Sequence, residues 1–213
     1  MPRDPEPARR KLLDAALLLF ARDGIEAVSL REIRLAAGQR NAAATQYHFG
    51  TKEGLVRALV QDVLPPLVAH RRELLRGATV DDVFAVARVI VAPLTALAVG
   101  EARDRAVVRF LAELVDDVNR SWAGLTELFG DTAAAASTAM LRAALPQLPA
   151  EVMNERLVVG ITGVVHACAF YARGVDTGRT RDPDLFRENL VDMFVGALTA
   201  PVSAPVSAAA REA

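Results

Sequence analysis

Apolar residues recur with helical spacing along almost the whole chain, and no segment alternates with period two for long enough to predict a sheet. A first helix is predicted over about residues 8–22, with Gly24 as its stop. Beyond the amino-terminal region, helices are predicted near residues 80–99, 103–119, 121–145, 150–174 and 183–200, with an interruption at Pro93 in the first of these. The pattern therefore predicts an all-α fold.

The sharpest local signals mark a second helix that begins at Ser29. Ser29 and Glu32 have the spacing of a capping box, in which each side chain bonds the backbone N–H of the other residue. Val28 and Ile33 lie on either side of this start, where a hydrophobic staple forms. Gly38 is expected to end the helix.

A third, shorter helix is predicted over about residues 41–48, and Gly50 lies where it breaks. Thr51 then caps a long fourth helix with an apolar stripe. Pro65 and Pro66 are expected to kink or divide that helix, which makes them a candidate bending point.

Two short helices joined by a tight turn and preceded by a bracing helix form a helix-turn-helix, whose last helix presents its outer face to base edges. The charge pattern agrees, because no Asp or Glu occurs from Ile33 to Lys52. Residues 1–60 hold ten Lys/Arg and seven Asp/Glu, a net charge of +3, and the remainder holds fifteen against nineteen, a net charge of −4. This split favours a basic head that meets an anion and a body that does not.

The residue types of the third helix suit a major groove. Its alanines have no bulk to hold the backbone away from DNA, and the amide of Gln46 can pair with adenine in a bidentate manner. Arg40 can reach guanine or a phosphate, and the following aromatic and basic side chains lie where a phosphate strand passes. The predicted DNA contacts are Ser29, Arg31, Gln39, Arg40, Asn41, Ala43, Thr45, Gln46, Tyr47, His48 and Lys52.

Ordinary structural roles compete with several of these assignments. Tyr47 can instead pack in the core, as half-buried tyrosines commonly do. His48 can be a plain surface residue at a helix terminus. Arg31 and Arg34 can simply solvate a helix face.

Several motifs occur together at consistent spacing. They are a Phe-x-x-x-Gly end of helix 1, a Ser-x-x-x-Ile start of helix 2, an Ala-Gly turn and the run Tyr-His-Phe-Gly-Thr-Lys-Glu-x-Leu, within ARRKLLDAALLLFARDGIEAVSLREIRLAAG and QYHFGTKEGL. Over about residues 8–60 the chain thereby resembles the DNA-binding domain of the TetR family of bacterial repressors. Gly38 and Phe49 are eleven positions apart, one more than in most of that family, so an extra residue lies within 39–41 or at the start of helix 3.

The resemblance implies a carboxy-terminal helical domain that forms a homodimer through its last two long helices and holds a ligand cavity. Apolar side chains cover far more than one face of residues 157–171, and such a helix must be covered on two sides. An ordinary monomer core is the alternative. The predicted dimer contacts are Leu157, Ile161, Val164, Cys168, Leu190, Phe194 and Leu198.

Aromatic, methionine and histidine side chains of the body are candidates for lining that cavity, although such residues at helical spacing are more commonly core. The mostly aliphatic surroundings favour an apolar or amphipathic small molecule. The predicted ligand contacts are Phe84, Phe110, Trp122, Met140, His166 and Phe170.

The remaining composition excludes other classes of protein. One cysteine in the whole chain allows no intrachain disulfide and suits the reducing cytoplasm. The charge-free stretch at 157–172 is shorter than the roughly 20 residues that cross a bilayer, so no membrane partner is expected. Neither a metal-ligand cluster nor a catalytic motif is evident, so we expect no cofactor and no enzymatic activity.

The sequence thus predicts a helix-turn-helix domain at 8–55, a helical ligand-binding and dimerisation domain at 56–200 and a disordered tail at 201–213. The predicted function is a ligand-responsive transcriptional regulator, a repressor whose dimer places two copies of helix 3 about 34 Å apart on a palindromic operator in double-stranded DNA. A small-molecule effector that moves helix 4 would release the operator. The alternative is a ligand-independent helix-turn-helix protein, either an activator or an architectural factor.

Overall fold

The computed structural model describes residues 6–39, 41, 44–116, 132–179 and 182–202, and within these ranges every regular element is a helix. The all-α prediction is therefore confirmed. In chain order the helices are α1 (Glu6–Asp23), α2 (Leu30–Ala36), α3 (Ala44–Phe49), α4 (Lys52–Leu75), α5 (Val83–Val99), α6 (Ala102–Asp116), α7 (Thr132–Ala144), α8 (Ala150–Asp176) and α9 (Pro183–Thr199).

The head consists of α1, α2, α3 and the first turns of α4, and α1 contacts the other three helices. Its core is closed by side chains with no exposed surface, namely Leu12, Leu13, Phe20, Ile33, Leu55 and Leu59. As predicted, α1 stops at Gly24, which has a positive φ of 88°. These side chains pack beneath the surface that α2 and α3 present.

The body is built around α5, which contacts α4, α6, α7, α8 and α9. A helix with neighbours on most sides must be apolar on most sides, and α5 buries Val86, Val89, Ile90, Val91 and Leu94. The buried residues of head and body form one continuous cluster. The two parts consequently share a core instead of being joined by a free linker.

Helix α1 of the head docks along α6 of the body. The rings of Phe20 and Phe110 are fully buried and stack with their centroids 6.1 Å apart. At Gly24 an ideal Cβ would lie 3.0 Å from a carboxylate oxygen of Glu113, which is the end of a flexible side chain and can move aside. The positive φ is therefore what favours glycine at this position.

Of the two outcomes expected at the prolines of α4, a kink or a division, the division is wrong. The helix is continuous from Lys52 to Leu75 with Pro65 and Pro66 inside it, and α5 likewise continues through Pro93. Each proline still removes one backbone hydrogen bond. Burial of the neighbouring side chains Val63, Leu64 and Leu67 holds α4 together across the missing bonds.

Candidate nucleic-acid interface

The start of α2 has the local structure that the sequence predicts. The Ser29 hydroxyl oxygen accepts a bond from the backbone N–H of Glu32 at 3.2 Å, and the Glu32 carboxylate accepts one from the backbone N–H of Ser29 at 2.8 Å. The hydroxyl also donates to that carboxylate at 2.6 Å. The hydroxyl bond, followed by the backbone bond, lowers the pKa of Glu32 below its ordinary value of 4.5. Val28 and Ile33 are buried beside this cap, so α2 has a fixed entry angle.

The turn after α2 is fixed by backbone and side-chain bonds. Gly38 has a positive φ of 66°, and the N–H of Gln39 donates to the carbonyl of Arg34 at 3.0 Å. The Arg34 guanidinium in turn donates to the carbonyl of Gln39 at 2.8 Å. Arg34 therefore braces the turn, whereas Arg31 projects from α2 into solvent.

Helix α3 presents the side chains of Gln46 and Tyr47 to solvent. Gln46 is exposed, and Tyr47 is 80% exposed, so the alternative that Tyr47 packs in the core is wrong. The Tyr47 ring meets the His48 ring edge-on with centroids 5.2 Å apart. Phe49 points inward and has the Arg9 guanidinium 5.8 Å from its ring centroid. The phenol is thus supported by its neighbour without entering the core.

The corner between α3 and α4 depends on a glycine that sequence reasoning missed. An ideal Cβ at Gly54 would lie 2.1 Å from the carbonyl oxygen of Phe49, a distance that no atom pair tolerates. Gly54 also donates its backbone N–H to the hydroxyl oxygen of the cap residue Thr51 at 3.1 Å. Gly54 occupies the variable position x of the Thr-Lys-Glu-x-Leu motif, so its role becomes visible only in the packing of the corner.

Lys52 lies at the first position of α4, next to this corner. Its ammonium donates to the backbone carbonyl of Glu26 at 2.9 Å, which ties α4 to the loop between α1 and α2. The amide groups at the amino end of α4 and this ammonium together place positive charge beside α3, as a phosphate strand requires.

The predicted DNA contacts fall into three groups. The structure brings Gln46, Tyr47, His48 and Lys52 to one end of the head through α3 and the start of α4. Ser29 is exposed but engaged in its cap, while Gln39 is half-buried and Asn41 exposed. Arg40 and Ala43 lie outside the described residues, and the helix described here begins at Ala44. Of Thr45 only the backbone is described.

The predicted ligand contacts do not come together in one cavity among the described residues. Phe110 is committed to its stack on Phe20, so no surface of its ring remains for a ligand. Phe84 is partly exposed, Met140 is partly buried against the core, and His166 pairs with Asp116 at 3.0 Å. Trp122 lies outside the described residues. A surface cavity of about 170 Å³ is lined by Phe170, Tyr171, Arg173, Gly174, Thr177 and Arg179.

Most of the predicted dimer contacts lie inside the protomer. At most 5% of each of the side chains Leu157, Val164, Cys168, Leu190, Phe194 and Leu198 is exposed, and Ile161 is partly buried against the same core. Side chains without free surface cannot contact a partner, so burial within the protomer argues against these predicted contacts. Burial also raises the pKa of Cys168 to about 12.

The outer sides of α8 and α9 carry a separate apolar surface, which we call the outer apolar face. It consists of the exposed side chains Val159, Phe170, Leu185 and Met193 together with Gly163 and Gly196, at which an added Cβ would meet nothing within 4 Å. Along α8 these positions are four and seven apart, and along α9 they are eight and three apart, so on each helix they share one side. By length and composition alone, helix α8 is long and apolar enough to cross a membrane. In the structure, 39% of its most apolar 18-residue window is buried. Core helices of soluble proteins pass the same test.

Two protein-family models match this chain, one over the head and one over the body. Residues 12–59 match the family model described as bacterial regulatory proteins of the tetR family. Residues 88–197 match the tetracyclin repressor-like C-terminal domain. Among solved structures, Salmonella enterica GusR is 23% identical, with 93% of this chain and 99% of that chain covered and a TM-score of 0.48. The comparison with curated proteins found no match.

Proposed function

This chain belongs to the TetR family of bacterial transcriptional regulators, and from that premise we propose that it represses transcription as a homodimer on a palindromic operator. DNA binding follows from the family and resides in the head. In this proposal the protein works in the cytoplasm, and a small apolar or amphipathic effector that binds the body releases it from DNA.

The observation that carries the proposal is the exposure of the α3 side chains. The head core is complete without Tyr47, and 80% of the surface of this side chain is exposed to solvent. The sequence from Ile33 to Lys52, which includes α3, contains no Asp or Glu. A tyrosine hydroxyl and a lysine ammonium are suitable phosphate ligands, while the exposed amide of Gln46 can read a base edge. α2 and its capped turn support this helix from behind.

The outer apolar face supports the homodimer. Val159 and Met193 are 69% and 63% exposed, and an isolated protomer would leave this surface in water. Exposed apolar side chains that share one side of a helix are typical of an interaction site. Because it lies on two neighbouring helices, a second copy related by a two-fold axis would bury it in a four-helix interface. The open positions at Gly163 and Gly196 let the partner helices approach closely.

Selection of bound sequences from random duplex DNA tests the proposal directly. We expect a short palindrome whose half-sites are separated by about one helical turn, with the protein bound as a dimer. Tyr47→Ala should weaken binding to every sequence, and Tyr47→Phe, which keeps the ring but removes the hydroxyl, should weaken it as well if the hydroxyl contacts a phosphate. Recovery of sequences without two-fold symmetry, or binding of a single protomer, would refute the repressor dimer.

The effector is tested on the selected palindrome. A screen of small apolar and amphipathic metabolites should contain compounds that shift the protein from the palindrome without unfolding it. Equal affinity for the palindrome with every such compound would favour the ligand-independent alternative, an activator or architectural factor. A ligand shifts the equilibrium only by its differential affinity for the two states, so the compound should bind the free protein more tightly than the DNA complex.

A further inference from the structure

We propose that Arg103 is a positioning residue for operator binding, which acts through an ion-pair ring formed by Arg10, Asp14, Asp62 and Arg103. The ring joins α1, α4 and α6 and fixes the angle between head and body. In a dimer that angle sets the separation of the two copies of α3. This inference rests on the proposed function, because it concerns how a dimer spans two half-sites.

Asp62 is the centre of the ring. One of its carboxylate oxygens accepts from Arg10 of α1 at 2.8 Å, and the other accepts from Arg103 of α6 at 2.8 Å. Asp14 closes the ring with contacts of 3.3 Å to Arg10 and 3.6 Å to Arg103. The Asp62 side chain is 18% exposed, so it is less screened by water than an ordinary surface pair.

The ring lies where the helix that links head and body is weakest. Pro65 and Pro66 have no N–H to donate, so the carbonyls of Gln61 and Asp62 receive no backbone bond from the following turn. A helix with two adjacent bonds missing bends more easily than a regular one. The side chain of Asp62 therefore connects this soft point of α4 to both α1 and α6.

Contacts along α6 connect the ring to the proposed dimer helix. α1 and α6 run side by side in the same direction, since Asp14 lies near Arg103 and Phe20 stacks on Phe110. α6 in turn is bound to α8, where Asp176 pairs with Arg105 at 2.6 Å and with Arg109 at 2.7 Å. α6 thus holds the head through one set of residues and α8 through another.

The dependence of affinity on the spacing between half-sites distinguishes a positioning role from a merely structural one, which would leave this dependence unchanged. The selected operator is prepared with one or two base pairs added or removed between the half-sites, and a single half-site duplex is prepared beside it. Each added base pair rotates one half-site by about 35° relative to the other, so a rigid wild-type dimer should prefer one spacer sharply.

Arg103→Gln should lower affinity for the best spacer by about fivefold to tenfold, as expected for loss of a coupled contact, while affinity for the single half-site stays at the wild-type value. The loss of affinity caused by adding or removing one base pair between the half-sites should be smaller for this variant than for the wild-type protein. Arg88→Gln is the matched control, because Arg88 pairs with Glu188 at 2.9 Å with similar exposure but joins α5 and α9 within the body. It should leave the spacer profile unchanged.

A second measurement needs no DNA. A spin label is attached to Ala36→Cys on exposed α2, while Cys168 is buried and stays unlabelled. Pulsed electron paramagnetic resonance then measures the distance between the two heads of a dimer. Arg103→Gln should broaden that distance distribution, and Arg88→Gln should not.

The outcomes separate the inference from the proposed function. If wild-type protein has no spacer preference or binds as a monomer, the proposed function fails. If wild-type protein prefers one spacer and Arg103→Gln keeps the same profile and head-to-head distribution, only the positioning role fails. A loss of half-site affinity equal to the loss on the palindrome would also overturn it, because the head itself would then be damaged.

Discussion

The Lys52 ammonium donates a hydrogen bond to the backbone carbonyl of Glu26 at 2.9 Å. This bond connects the first residue of α4 to the loop between α1 and α2, so the ammonium is held at that loop. A held side chain loses less conformational freedom on binding than a mobile one, which favours the proposed phosphate contact.

Lys52→Ala should weaken binding to all sequences alike, because a phosphate contact carries no base information. Loss of one neutralised phosphate per protomer should reduce the slope of log affinity against log salt by about 0.9 per half-site. Titrations of duplex DNA at several salt concentrations measure this slope. Arg76→Ala, roughly 36 Å away at the far end of α4, is the control that should leave it unchanged. An unaltered slope for Lys52→Ala would remove the residue from the interface.

Gln46→Ala should relax the preference at one base pair in each half-site. A bidentate pair between an amide and adenine contributes about 1–3 kcal/mol of discrimination, and alanine offers neither donor nor acceptor. Repeating the binding-site selection with the variant measures the change. Recovery of the wild-type motif would show that another residue reads that position.

Gly54→Ala should destroy DNA binding by breaking the α3–α4 corner. Alanine normally stabilises a helix relative to glycine by about 1 kcal/mol, but here its Cβ would collide with the carbonyl oxygen of Phe49. Gly174→Ala in α8 is the matched control, since the nearest atom to its added Cβ is 3.8 Å away. Thermal unfolding and DNA titration should separate the two variants. Full DNA affinity for Gly54→Ala would contradict the packing at this corner.

Glu32→Gln should be less stable than wild type at neutral pH, and the difference should disappear in acid. The pKa of Glu32 is lowered in the folded protein, so its ionised form stabilises the fold above the ordinary value of 4.5. That contribution is lost as the pH falls through the lowered folded pKa. Urea unfolding of both proteins between pH 3 and 7 tests this sign, and a difference that grows in acid would refute it.

Val159→Asp should convert the dimer to a folded monomer that no longer recognises the palindrome, because it places a charge on the outer apolar face. Phe194→Ala should behave differently and cost about 3–5 kcal/mol of protomer stability, since that ring is buried against Gly160. Ultracentrifugation and thermal unfolding distinguish these two effects. Val80→Asp, on a loop outside the face, should affect neither.

Local sequence signals predicted the helix ends of the head because each of these ends depends on residues that are close in sequence. Ser29 with Glu32, Gly24, Gly38 and Thr51 all act within one turn of the chain, and each forms the predicted cap or stop. Gly54 escaped notice because its requirement comes from the carbonyl of Phe49 across a corner.

The body was harder to predict because helical periodicity shows which positions are apolar but not what covers them. Leu157 and Phe194 have the pattern of an interface, yet they pack within the protomer. Phe110 has the type expected of a ligand contact, yet it is stacked on Phe20. Pro65 and Pro66 predicted a kink or a division of α4, and the helix is not divided, with buried side chains beside both prolines. In each case the outcome depends on residues distant in sequence.

The stack of Phe20 on Phe110 limits how this protein can be re-engineered. An aromatic side chain of the body completes the underside of the first helix, so the head cannot be exchanged as an independent module. A chimaera that grafts these first helices onto another scaffold would need to carry α6 as well, or supply an equivalent aromatic side chain at the same place.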